Sequence, residues 1–142
     1  MVERTVVMAD AVRAAFELTN RMSDVVRPVL ARHGLTFNTA YALWAIEPEE
    51  PAPSMKVLAE RIHCNASNLT FLCDQLVTRG YVRRVPSPSD KRLRAVELTD
   101  AGRLAREHVG ESLLGSTPLG KLETAALVQF RDLLGAALGE EE

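Results

Sequence analysis

Gly80-Tyr-Val-Arg-Arg-Val-Pro-Ser-Pro-Ser-Asp-Lys-Arg-Leu-Arg-Ala-Val-Glu-Leu-Thr-Asp-Ala-Gly102 is the stretch on which the reading of this chain turns. Val82–Val85 and Leu93–Leu98 alternate in the manner of half-buried strands about a turn at Pro86-Ser87-Pro88-Ser89. Six cations stand against two acids between residues 79 and 99, a local charge of +4. Residues 100–142 hold four cations against eight acids, and the whole chain nets −2. A basic stripe on an acidic body suits focused contact with phosphate. The plainer alternative is a hairpin whose arginines are only solvated.

Working upstream, the pattern predicts two short helices joined by a tight turn. Ser54 can cap the first, whose buried face is Met55, Leu58, Ala59 and Ile62. His63-Cys64 makes the turn, and Asn65 caps a second helix with Leu69, Leu72, Cys73 and Leu76 inward. Gly80 ends it just after Arg79. Glu47-Pro-Glu-Glu-Pro-Ala-Pro53 cannot continue a helix and reads as a loop. Residues 37–46 form a mostly buried helix that starts near Thr36 or Asn38.

The outer segments are helical too. Residues 8–32 place Val12, Ala15, Phe16, Thr19, Met22, Val26 and Leu30 at helical spacing, with a bend or interruption at Pro28 and a stop at His33-Gly34. Thr99 caps a helix over 100–114, and a last helix covers 118–138, the two parted near Gly115–Pro118. The apolar row of that last helix (Leu119, Leu122, Leu127, Phe130, Leu133, Leu134, Leu138) is too hydrophobic to stand alone in water. The fold class is mainly α with a small β-hairpin.

At 142 residues the chain suits one domain. No apolar run reaches the roughly 18 residues of a membrane span, and an early acid (Met1-Val-Glu-Arg-Thr) argues against a secretory leader. Cys64 and Cys73 make no disulfide framework, so a cytoplasmic location is expected. No phosphate loop, nucleophile elbow or HExxH motif is present; no enzyme, cofactor or metal is expected. His33, His63 and His108 are dispersed, and a ligand set of His108, Glu111 and a distant third donor is left open.

Three strings carry a resemblance: Leu58-Ala59-Glu60-Arg61-Ile62; Leu72-x-Asp74-x-Leu76-x-x-Arg79-Gly80-Tyr81-Val82; and Asp90-x-Arg92-x-x-x-Val96-x-Leu98-Thr99-x-x-Gly102. Together they resemble the MarR family (multiple antibiotic resistance regulators), and the similarity extends over essentially the whole chain. The resemblance implies a winged helix-turn-helix with a single domain over 1–142. Residues 1–34 and 103–142 are then dimerisation helices, and 35–102 the DNA-binding lobe. It implies a homodimeric, ligand-responsive transcriptional regulator, in the first instance a repressor, on a pseudo-palindromic operator of double-stranded DNA. The apolar terminal helices either meet a second subunit, as the family would have it, or pack on their own.

In that frame Ser67, Asn68, Thr70, Phe71 and Gln75 face a major groove, and Arg83, Arg84, Lys91, Arg92 and Arg94 supply backbone and minor-groove contacts. By resemblance Arg92 enters the minor groove and Asp90 orients it. Relatives often carry Arg or Lys where this chain has Ala66, Phe71 and Gln75, so the reading helix here is poor in cations. Phe71 either lies against a thymine methyl or is half-buried filler. The resemblance also implies a small aromatic or phenolic effector, for which Phe16, Met22, His33, Tyr41 and Trp44 are candidate contacts; an ordinary core is the alternative. Neither cysteine matches the oxidant-sensing relatives, whose reactive thiol lies in the first helix. The rival function is a winged-helix interaction module that has lost sequence-specific DNA readout and holds a protein partner.

Overall fold

The chain starts with its longest helix: α1 (Val2–His33) runs unbroken for 32 residues, straight through Pro28. Pro28 faces solvent, while Val26, Val29 and Leu30 around it are buried. Packing on both sides of the lost backbone bond holds the helix together where propensity alone predicts an interruption. The computed structural model describes residues 2–139; Met1 and residues 140–142, the extremes of the expected 1–142 domain, lie outside the described residues.

α2 (Phe37–Trp44), α3 (Met55–Arg61) and α4 (Ala66–Thr78) follow, each opened by a side-chain cap. Thr36 accepts from the Thr39 amide at 3.2 Å and donates its own amide to Thr39 Oγ1 at 2.8 Å. Ser54 Oγ accepts from Val57 N at 3.2 Å, and Asn65 Oδ1 from Asn68 N at 2.8 Å. Each cap satisfies a backbone donor that a helix start leaves open. Gly80, at φ +77°, ends α4 in the left-handed conformation.

β1 (Val82–Pro86) and β2 (Arg94–Leu98) pair antiparallel from Val82 opposite Leu98 to Pro86 opposite Arg94. Pro86 therefore belongs to the strand end, where a missing donor is tolerated, and the wing loop is 87–93 rather than the 86–92 left between the expected strands. A third edge was not foreseen. Ser54 bridges Ala95, and Val96 N donates to Pro53 O at 2.9 Å, so the segment before α3 closes the open side of the hairpin.

α5 (Asp100–Ser116) is capped by Thr99, whose Oγ1 accepts from Gly102 N at 3.0 Å. Thr99 N in turn donates to Tyr81 O at 3.1 Å, which lays the first turn of α5 on the start of the wing. A Cβ at Gly102 would stand 1.8 Å from the Tyr81 carbonyl oxygen, so this approach requires glycine. The expected last helix is two pieces. Pro118–Lys121 is a 3-10 turn opened by Thr117, Leu122 is extended, and α6 spans Thr124–Leu138.

The core lies inside the lobe. Leu43, Leu58, Leu69, Cys73, Leu76 and Val96 are essentially inaccessible, joined by Val26 and Val29 of α1 and by Ala105 and Val109 of α5. The outer half of α1 and all of α6 stand apart. Val12 is 50% exposed and Phe16 69%, and α6 has no buried residue. Of the expected apolar stripe of α1, Val26 and Leu30 are thus core, Met22 is half-buried, and Val12, Ala15, Phe16 and Thr19 are surface.

Candidate nucleic-acid interface

Helical geometry sorts the residues of α4. Leu69, Cys73 and Leu76 are 0–1% exposed, and the positions about half a turn away point outward: Ser67, Phe71, Asp74 and Thr78. Asn68 and Thr70 are exposed on either flank, and Gln75 is half-buried. Thr70 Oγ1 donates back to Ala66 O at 2.9 Å, so its donor is engaged inside the helix. Phe71 is 62% exposed, more than half-buried filler would be.

The wing stands beside this face. Arg84 Nη2 donates to Asp74 Oδ1 at 2.5 Å, tying β1 to α4. Arg83 pairs across the hairpin with Glu97 at 3.1 Å. Both guanidiniums are already partnered: Arg84 braces the wing on the reading helix, and Arg83 braces one strand of the hairpin on the other. Arg92 differs. Its side chain is 89% exposed, yet Nε and Nη2 donate to the two oxygens of Asp90 at 3.1 Å each, and its amide donates to Asp90 Oδ1 at 3.0 Å. The Arg92 guanidinium and then its amide hold the Asp90 carboxyl below the usual carboxylate range. Lys91 and Arg94 are exposed beside it. The wing tip therefore offers a pre-oriented, solvated guanidinium, on a loop whose Ser87 is buried and donates its amide to Leu93 O at 2.8 Å.

Where α1, α2 and α5 meet, the structure brings together Met22, Tyr41 and Trp44 of the expected effector contacts. With Val26, Phe37, Ala40, Val109 and Leu113 they line an apolar cavity of about 240 Å³. Phe16 lies out on the exposed stretch of α1, and His33 is absent from the lining. His33 instead meets His108 of α5, Nε2 to Nδ1 at 3.0 Å, while Tyr81 donates to the His33 carbonyl at 2.8 Å. Burial, then the His108 and Arg32 charges, lowers the His33 pKa.

Sequence reasoning missed three arginines that hold the loop after α2. Arg61 donates to Ala45 O at 3.0 Å and pairs with Glu50 at 2.7 Å. Arg106 donates to Trp44 O at 3.0 Å and pairs with Glu47 at 3.1 Å; Arg103 reaches Pro48 O at 3.3 Å. The acid-rich composition of 47–50 was the available signal, but the arginine that reaches Pro48 lies 55 residues away. Arg103 and Arg106 make this a tie between α5 and the lobe.

Burial pushes the Cys73 thiol up to about 11, so it stays protonated; Cys64 is half-buried in the turn before α4. Among the described residues no group of three or more His, Cys, Asp or Glu side chains is placed to hold a metal ion. No described helix is long and apolar enough to cross a membrane.

A family model described as MarR family matches residues 33–93. The HTH-type transcriptional regulator TtmR of Methylorubrum extorquens (strain PA1) is 31% identical over 136 residues, covering 91% of this chain and 69% of TtmR. Among solved structures, Sco5413, a MarR family transcriptional regulator from Streptomyces coelicolor, is 26% identical over the full length of both chains, with a TM-score of 0.69. The transcriptional repressor CouR, bound to a 23-mer DNA duplex, is 25% identical, with a TM-score of 0.67, covering 92% of this chain and 87% of CouR. CouR from Rhodococcus jostii RHA1 bound to p-coumaroyl-CoA superimposes with a TM-score of 0.76 at 21% identity, covering 89% of this chain and 90% of that one, a likeness of fold.

Proposed function

This chain belongs to the MarR family of transcriptional regulators, and on that premise we propose that it acts in the cytoplasm as a homodimeric, effector-responsive repressor. Residues 1–34 and 103–142 form the dimer module, and each 35–102 lobe reads half of a pseudo-palindromic operator. The observation that carries the reading is the wing tip. Arg92 is held in a carboxylate fork while 89% of its side chain stays in water, a costly arrangement to maintain for a side chain that meets nothing. A narrow minor groove concentrates negative potential, and a guanidinium oriented beforehand loses little freedom on entering it. Ser67, Asn68, Phe71 and Gln75 face the major groove, with Thr70 beside them. Lys91 and Arg94 lie near phosphates, and Arg83 and Arg84 hold the wing in register.

Open apolar surface supports the dimer. Phe16, Leu133 and Leu138 are 64–69% exposed in a single subunit, and a second copy offers the same stripes in return. The cavity beside Met22, Tyr41 and Trp44 suits one small aromatic or phenolic ring, and CouR from Rhodococcus jostii RHA1 is known bound to p-coumaroyl-CoA. Lying between α1, α2 and α5, it is positioned so that an occupant changes the lobe's angle to the dimer module. The two reading helices then no longer fit major grooves roughly 34–36 Å apart.

The test is binding to the gene's own upstream DNA across a range of salt. We expect a sequence-preferring footprint, a steep ionic dependence, and a loss of about 2 kcal/mol for Arg92→Ala. An Arg92→Ala protein that binds like the parent overturns the wing assignment. The rival reading, a protein-interaction module, draws on the exposed Phe71 and the cation-free α4; the absence of any footprint would favour it.

A further inference from the structure

Phe71 is the one large apolar side chain at the centre of the outward face of α4, among Ser67, Asp74 and Thr78. Resting on the function proposed above, we infer that Phe71 is a specificity-determining residue that selects thymine, through its C5-methyl group, at one fixed position of each operator half-site. Three observations bear on it. Phe71 is 62% exposed although neighbouring turns of α4 reach a closed core, so its surface is left for something outside the subunit. From Ala66 to Thr78 the helix carries no cation, so the bidentate Arg or Lys contact to guanine O6 and N7 is unavailable. The one charged side chain that α4 itself puts on the face is Asp74, whose Oδ1 is already engaged by Arg84 at 2.5 Å.

These features exclude and select at once. Guanine presents only acceptors in the major groove, which find no cation on α4 and nothing to bond in a phenyl ring. Thymine presents the only apolar group there, and burying a methyl against an exposed phenyl ring removes apolar surface of both from water. Cytosine and adenine present an amino group that Asp74 can accept from, but no methyl for Phe71. Half-sites read by this helix therefore carry thymine under Phe71, with sequence elsewhere read through the wing and groove shape.

The experiment uses the full-length protein and the duplex located by footprinting. Each thymine in the protected region is replaced singly by deoxyuridine, which removes the methyl and keeps the O4 acceptor and base pairing. For the parent protein we expect one position per half-site to lose roughly fourfold in affinity, and about fifteenfold when both half-sites are changed. Phe71→Ala should bind the thymine duplex more weakly and be indifferent to the replacement, while Phe71→Leu should keep part of the discrimination. Because Phe71 is exposed, circular dichroism should show both variants folded. A footprint whose affinity is unmoved by every deoxyuridine, or a Phe71→Ala protein that discriminates like the parent, overturns the inference and leaves the regulator reading standing. No footprint at all removes both.

Discussion

The lobe between Leu35 and Leu98 and the helices at the chain ends are both rich in leucine and valine, and they treat those side chains oppositely. Leu43, Leu58 and Leu76 of the lobe are 0% exposed, whereas Leu114, Leu133 and Leu138 of α5 and α6 are 64–69% exposed. Within the lobe, α2, α3, α4 and the wing supply each other's missing surface over short connections. α6 has no such neighbour in its own subunit, and no described residue of it is buried. Equal hydrophobicity thus yields a closed core in one region and an open face in the other. The difference is whether the same chain brings a partner within reach.

The largest expected effect tests both halves of that contrast. Leu43→Ala should cost about 3 kcal/mol in urea unfolding, by the same amount at every protein concentration. Leu133→Glu with Leu138→Glu should leave the lobe's folding intact but shift the sedimenting species from two subunits to one, with loss of operator affinity. A doubly substituted protein that still sediments as a pair would place the dimer contact elsewhere. A smaller effect sharpens where the lobe ends. Gly102→Ala forces a methyl toward the Tyr81 carbonyl, and overpacking of this kind should cost about 2 kcal/mol, read as a lower midpoint in thermal melts. An unchanged melting temperature would mean that the α5–wing seam is pliable.

The smallest expected effect concerns the seam between α1 and α5. His33, partly desolvated by burial and then beside the His108 and Arg32 charges, has its pKa lowered in the folded state. As pH falls below about 6.5 the unfolded chain takes up this proton before the folded one does. Stability present above that pH is therefore lost progressively on the way down toward the folded value. His108→Gln removes one of the causes and should flatten the slope of melting temperature against pH between 8 and 5.5. A slope unaltered by that substitution would assign the acid sensitivity to other groups.

Much of this was legible in the residues. Ser54, Asn65 and Thr99 were expected as caps and are caps, because a capping hydrogen bond spans only three residues. The hairpin followed from alternation, and its loop was misplaced by one residue at the Pro86 end and one at Leu93. Local rules fell short where they met a tertiary contact: of the bend or interruption expected at Pro28 the interruption does not occur, and Pro118 starts a 3-10 turn rather than α6. Of the five candidate effector contacts, Met22, Tyr41 and Trp44 converge and Phe16 and His33 do not. Helical spacing says which residues share a stripe, but not where along it the neighbouring helix ends.

By itself, then, the sequence determined the order of the main helices and the hairpin, the caps Ser54, Asn65 and Thr99, and the basic wing, with the Asp90–Arg92 pair as the resemblance implied it. These depend on hydrogen bonds and periodicities that act within a few residues. Only the tertiary structure decided that Phe71 stands in water, that His33 meets His108 across 75 positions, and that three arginines clasp the loop after α2. Such meetings depend on the angles at which whole helices pack. Those angles come from the summed fit of the core rather than from any short string of residues.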